Sequence, residues 1–177
     1  MRKLVSPVSA VLLMLANSAL ASTNFVLNDQ FDRAVARDSI FKDAPVVIIA
    51  GSQRKTPDEM EAWERALRGR LPKDIRVFGL SNLKKIPFFV PKSSVKKTLA
   101  SKFPNTPVLL DWKGKVYPAL GFPEGATIAV GVFDAKGRRL GLVRGETTRS
   151  RVDEVLALLP APSDRPGRSS ALGGGWR

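Results

Sequence analysis

Pro45-Val46-Val47-Ile48-Ile49-Ala50 is an unbroken apolar run of strand length, rich in β-branched side chains. A strand without polar alternation leaves no face for water, so both of its faces need cover. That requirement puts the run at the centre of a sheet and points to an α/β architecture with helices packed on the sheet. The polar loop Gly51 to Lys55 follows, and a helix starts directly behind it. Thr56 suits the N-cap, Pro57 the first helical position, and Glu59 completes a T-x-x-E capping box. Met60, Trp63 and Leu67 then fall on one helical face, and Gly69 and Pro72 stop the pattern.

The same punctuation runs through the rest of the chain. Phe25 to Leu27 reads as a short opening strand, Asn28 to Arg33 as a turn, and Ala34-Val35 as the return. Ile75 to Leu80 reads as a further strand. After a connection holding Pro87 and Pro91, Ser93 or Ser94 caps a second helix with a Val95, Leu99, Phe103 stripe. Thr106 to Leu110 is another apolar strand, closed by the turn Asp111 to Lys115. Thr127 to Phe133 and Leu140 to Val143, joined by Asp134-Ala135-Lys136-Gly137-Arg138, form a hairpin. Asp, Lys and Gly in the two similar turns suit tight turns and do not make a repeat. Val152, Val155, Leu156 and Leu159 mark a last amphipathic helix.

The ends of the chain read differently. Met1, Arg2 and Lys3 precede an apolar stretch densest from Val11 to Ala16, and Ala19-Leu20-Ala21 fits small-x-small cleavage. We therefore expect a signal peptide over 1–21, one domain over 22–160 and a disordered basic tail over 161–177, where Pro, Ser, Gly and Arg predominate. The expected address is periplasmic or secreted. The apolar stretch is too short for a comfortable membrane span, and no second long one follows, so the mature chain is not expected to be an integral membrane protein. No Cys follows the stretch, which excludes a lipoprotein anchor.

Composition narrows the chemistry. The chain has 29 Lys and Arg against 16 Asp and Glu, a net charge of +13. Such a charge suits anionic partners, and it also simply keeps an exported protein soluble. Export argues against nucleic acid and leaves a protein or an anionic envelope component as the expected partner. Lys84, Lys85, Lys92, Lys96, Lys97 and Lys102 gather around the second helix, and Arg138, Arg139, Arg144, Arg149 and Arg151 around the last hairpin and helix. Either group suits an anionic surface, although solvated faces are the commoner origin of such runs. Without a single His or Cys, no transition-metal site and no cofactor are expected.

In its order of elements the chain resembles the thioredoxin-like superfamily. Three segments carry the likeness: Phe25 to Phe31, Val46 to Met60, and Val130 to Arg138 continuing to Gly145. They are similar to the opening strand and turn, the central strand with its active loop, and the final hairpin of redoxin and peroxiredoxin domains. The implied fold is a three-layer sandwich, a central mixed sheet flanked by helices. More narrowly, Ile49-Ala50-Gly51, Phe88-Phe89-Val90 before Ser93-Ser94, and Val108-Leu109-Leu110-Asp111 before a Gly turn resemble the small exported YtfJ-like family. Redox members of the superfamily carry C-x-x-C at the start of the first main helix, where the helix end lowers the thiol pKa. The resemblance lays that motif over Gln53-Arg54-Lys55-Thr56, which holds no thiol. The cis-proline that faces the cysteines in those members has no counterpart between Gly125 and Asp134. The expectation is a redox-inactive scaffold that binds through Gln53, Arg54, Lys55 and Thr56, with no catalytic residue. The alternative is non-thiol chemistry at the Gly51–Thr56 loop, with Arg54 and Lys55 holding an anionic substrate at a helix N-terminus.

Overall fold

A computed structural model describes residues 24–52, 56–125 and 128–161. The expected signal segment, most of the expected tail, and Gln53, Arg54 and Lys55 lie outside the described residues.

The opening turn is built by one carboxylate. Asp29 is buried and accepts from the backbone N–H of Phe31 (2.8 Å) and Arg33 (3.0 Å), while Arg33 Nε reaches its other oxygen at 2.7 Å. This turns β1 (Val26–Asn28) back onto β2 (Ala34–Ala36) as an antiparallel pair. A short helix α1 (Arg37–Ile40) follows. Its end is tied down by Arg76, whose guanidinium donates to the carbonyls of Ser39 (2.9 Å), Ile40 (2.7 Å) and Lys42 (2.5 Å).

The remaining elements are β3 (Val46–Gly51), α2 (Thr56–Arg68), β4 (Arg76–Asn82), α3 (Lys92–Lys102), β5 (Val108–Asp111), α4 (Val116–Ala119), β6 (Ile128–Phe133), β7 (Arg139–Arg144) and α5 (Arg149–Ala157). The main sheet has the order β5-β4-β3-β6-β7. The unbroken apolar run is thus the central strand, and every residue of β3 is buried. β3, β4 and β5 are parallel, whereas β6 runs antiparallel to β3 and β7 to β6. The sheet is mixed and covered on both sides, as expected.

Alternation along β3 divides the core. Val47 and Ile49 pack with Met60, Trp63, Leu67, Leu99, Val152 and Val155 beneath α2, α3 and α5. Val46, Ile48 and Ala50 face the other way, onto Ile40, Phe41, Tyr117, Phe122 and Phe133. The hairpin forms around Asp134, which accepts from the N–H of Lys136 and Arg138 at 2.9 Å, with Gly137 at φ +77° closing the turn. The similar segment at Asp111 does something else. Its carboxylate accepts from the N–H of Lys115 (3.2 Å), Val116 (2.8 Å) and Tyr117 (2.9 Å), and so holds the start of α4.

Two expectations need correction. Ser93 and Ser94 do not cap α3: Pro91, at φ −61° and ψ 130°, flanks the helix and both serines lie inside its first turn. The fixed proline φ sets the helix start two to three residues earlier than a serine cap does. Thr56 and Pro57 both lie within α2, so Thr56 is a helical residue rather than the residue flanking the helix.

Candidate functional site

The three parallel strands β3, β4 and β5 end together at Gly51, Asn82 and Asp111. β6 starts at this end, because Ile128 pairs with Gly51, and β7 returns to it, because Gly145 N–H donates to the Ile128 carbonyl at 3.1 Å. Carboxyl ends of parallel strands are where α/β sheets place their ligands. The helix α2 rises from the same end.

Of the four residues expected at the site, Thr56 is described, and it is buried. Its side chain lies directly against the end of the central strand. A methyl group placed on Gly51 would come within 2.1 Å of Thr56 Cγ2 and 2.8 Å of its Cβ. Glycine at position 51 therefore lets the first turn of α2 approach the strand at a separation no side chain fits. The place where the resemblance sets the second cysteine of a redox motif is filled by a packed threonine.

Polar groups gather around this junction on both faces of the sheet. Tyr117 is fully buried beneath it. Burial pushes its phenol up, partly offset by the Ser52 hydroxyl beside it, and the Tyr117 hydroxyl makes no well-formed hydrogen bond. On the opposite face, one turn into α2, Glu59 Oε2 is buried without a hydrogen-bond partner. Burial, and next the charges of Glu146 and Asp58, push the Glu59 carboxyl above its ordinary value. Thr147 Oγ1 is likewise buried without a partner, and Trp63 Nε1 donates to the Gly145 carbonyl at 3.0 Å, pinning this loop onto α2. The sequence reading took Glu59 for a capping residue and missed Tyr117. The pairing of Ser52 with a tyrosine 65 positions later leaves no local signal.

A second region lies beside β5. There the opening hairpin bridges the sheet at Asp29 and Leu109 and then diverges, leaving a groove of about 590 Å³. Phe25, Leu27, Lys92, Lys96, Trp112 and Lys115 are among its lining residues. Lys92 Nζ sits 5.1 Å from the centre of the Trp112 ring, and Lys96 pairs with Asp32 at 2.8 Å. Among the described residues no cluster of Asp, Glu, His or Cys has the arrangement of a metal site.

No family model matches the chain, and no curated protein matches it. The narrower likeness to the YtfJ-like family therefore rests on the quoted segments alone. Solved structures do match. An exposed lipoprotein thioredoxin from Streptococcus pneumoniae is 15% identical, with a TM-score of 0.59 over 77% of this chain and 100% of that one. A DsbF homologue from Corynebacterium diphtheriae is 19% identical, with a TM-score of 0.57 over 77% of this chain and 84% of that one. A secreted Mycobacterium tuberculosis disulfide oxidoreductase homologous to E. coli DsbE is 14% identical, with a TM-score of 0.53 over 76% and 92%. At such identities the likeness is one of fold, and the fold is thioredoxin-like.

Proposed function

We propose that this chain, a thioredoxin-like fold without a thiol, is an exported binding domain rather than a disulfide oxidoreductase. The observation that carries the reading is the packing of Thr56 against Gly51 at the start of α2. Thiol exchange needs a thiolate nucleophile, and the chain has no cysteine at that helix start or anywhere else. What remains at the carboxyl end of the sheet is a rim whose loop carries Gln53, Arg54 and Lys55, donors and cations suited to an envelope protein or an anionic envelope component. Export is supported by the basic start and the Ala19-Leu20-Ala21 motif. Among the described residues no helix is long and apolar enough to cross a membrane.

A second reading draws on Glu59. Its raised carboxyl and unpartnered Oε2 are the setting in which a general acid is found. In that reading Arg54 and Lys55 supply cations for an anionic substrate. The chain has no His, and the loop Gly51 to Lys55 holds no acid to pair with Glu59, so the binding reading is preferred.

The test is site-specific photo-crosslinking in the periplasm, with the reactive side chain at Gln53 or, as a control, at Lys73 in the turn before β4. The proposal predicts adducts from Gln53 and none from Lys73, and their loss on the double substitution Arg54→Glu, Lys55→Glu. Equal adducts from both positions, or insulin reduction by protein free of contaminating thioredoxin, would overturn it. Turnover of an anionic substrate abolished by Glu59→Gln would favour the second reading.

A further inference from the structure

Soluble proteins keep phenylalanine out of water, because transferring its apolar ring into a protein interior or a bilayer is favourable. The connection between β4 and α3 breaks this rule twice in succession. Phe88 is 100% exposed and Phe89 73% exposed. Their rings approach edge to face, with centroids 5.8 Å apart. The loop that carries them is locally braced. Ile86 N–H donates to the Leu83 carbonyl and Val90 N–H to the Pro87 carbonyl, both at 3.0 Å, and Pro87 and Pro91 bracket the pair. Leu83 anchors the base, buried and donating to the Asp111 carbonyl at 3.0 Å.

The chain on both sides of the two rings carries charge of one sign. Between Asp74 and Asp111 the chain has no acidic residue, while it holds Arg76, Lys84, Lys85, Lys92, Lys96, Lys97 and Lys102. The turn after β5 adds Lys113 and Lys115 to the same end of the sheet. Lys84 lies over Gly114, where a methyl group would meet its Cβ at 2.8 Å, and Lys92 lies over Trp112. Lys96 and Lys102 are paired, with Asp32 and with Asp58 and Glu61. Lys84, Lys85, Lys92, Lys97, Lys113 and Lys115 enter no ion pair among the described residues.

We propose that the Phe88–Phe89 loop is a membrane-docking site, inserting both rings at the surface of an anionic phospholipid bilayer while the surrounding lysines meet the headgroups. Three features favour a bilayer over a protein pocket. Phe88 is wholly exposed and Phe89 largely so, so the rings offer depth of insertion rather than a complementary wall. The cations are lysines, compact point charges that need no bidentate partner. Their number and single sign match a diffuse negative surface, which attracts each lysine that lies near it. A peripheral attachment of this kind combines apolar insertion with electrostatic attraction, and both parts are present within one loop and its neighbours. The proposal is independent of the rim at Gly51–Thr56, which has its own test.

The experiment is vesicle flotation with protein beginning at Ser22, which retains every described element and lacks the apolar leader that would itself bind lipid. Vesicles of phosphatidylcholine alone are compared with vesicles containing phosphatidylglycerol. Binding is expected to the anionic vesicles only, and to weaken steeply as salt rises. Phe88→Ser with Phe89→Ser should weaken it roughly tenfold or more with an unchanged thermal melt, since tenfold needs only about 1.4 kcal/mol. Lys84→Glu with Lys85→Glu should remove it as well. Failure of the wild-type protein to float with anionic vesicles would overturn the proposal, and so would equal flotation of the Phe88→Ser, Phe89→Ser protein. Self-association lost in that variant, without vesicle binding, would assign the loop to a contact between copies of the chain instead.

Discussion

Replacing Gly51 by Ala tests the junction on which the functional reading rests. The added methyl would stand 2.1 Å from Thr56 Cγ2, 2.8 Å from Thr56 Cβ and 3.0 Å from Met60 Sδ. Carbon atoms prefer a separation of about 3.5–4.0 Å, so the overlap with the threonine methyl exceeds an ångström. Neither side yields easily. Gly51 is held in register between Ser81 on β4 and Ile128 on β6, and Thr56 begins a helix whose Met60, Trp63 and Leu67 are fully buried. Overpacking of this kind costs about 1–3 kcal/mol. Thr56→Ser removes the nearest atom and keeps the hydroxyl. Alone it should cost about 0.8 kcal/mol, the value of one buried carbon. Combined with Gly51→Ala it should recover part of the loss, with a coupling of about 1 kcal/mol or more. Urea melts of the four proteins, compared at a common m-value, give the cycle. Costs that add to within about 0.5 kcal/mol would mean that the helix start does not press on the strand end, and the reasoning fails.

Other outcomes follow from single side chains. Gln30 is buried, donates from Nε2 to the carbonyls of Phe103 (2.8 Å) and Thr106 (3.0 Å), and accepts from Val108 N–H at 2.7 Å. Gln30→Leu strands three buried backbone groups and should lower stability in urea by about 3 kcal/mol or more, at 1–3 kcal/mol for each unsatisfied group; a loss below about 1 kcal/mol would refute this role. Glu59 behaves differently, because its carboxyl is raised and the folded state therefore holds the proton more tightly than the unfolded chain. The resulting penalty is absent below the ordinary carboxyl value of 4.5, grows as pH rises through the raised one, and is complete above it. Glu59→Gln should thus raise the melting midpoint at neutral pH and leave it unchanged in acid, and a midpoint that falls at neutral pH would contradict the assignment.

What the sequence disclosed was whatever a local pattern encodes. The apolar run at 45–50 dictated a central strand, the 3.6-residue spacing of Met60, Trp63 and Leu67 dictated the buried face of α2, and Asp134 with Gly137 dictated the hairpin. The elements it did not disclose are held by distant contacts. α1 and α4 are four residues each, too short for periodicity, and exist because Arg76 ties the end of one and Asp111 the start of the other. Gln30 looked like a polar turn residue, and only the fold brings it to carbonyls more than seventy positions away. The site was legible as a position and not as a surface. The loop behind the central strand could be found from Gly51 and the helix start, whereas the buried hydroxyl of Tyr117 and the exposure of Phe88 and Phe89 depend on three-dimensional packing.

The central claim of the proposed function is that this thioredoxin-like fold carries a thiol-free Gln53–Thr56 segment where redox proteins of the fold carry C-x-x-C. Restoring cysteines by Gln53→Cys and Thr56→Cys tests it most directly. Mild oxidation of the folded double variant, followed by intact mass measurement, should show the loss of two hydrogens and no free thiol to alkylate, because C-x-x-C spacing at a helix start brings the two sulfurs within bonding reach. Two thiols that stay reduced and are both alkylated in folded protein would contradict the account.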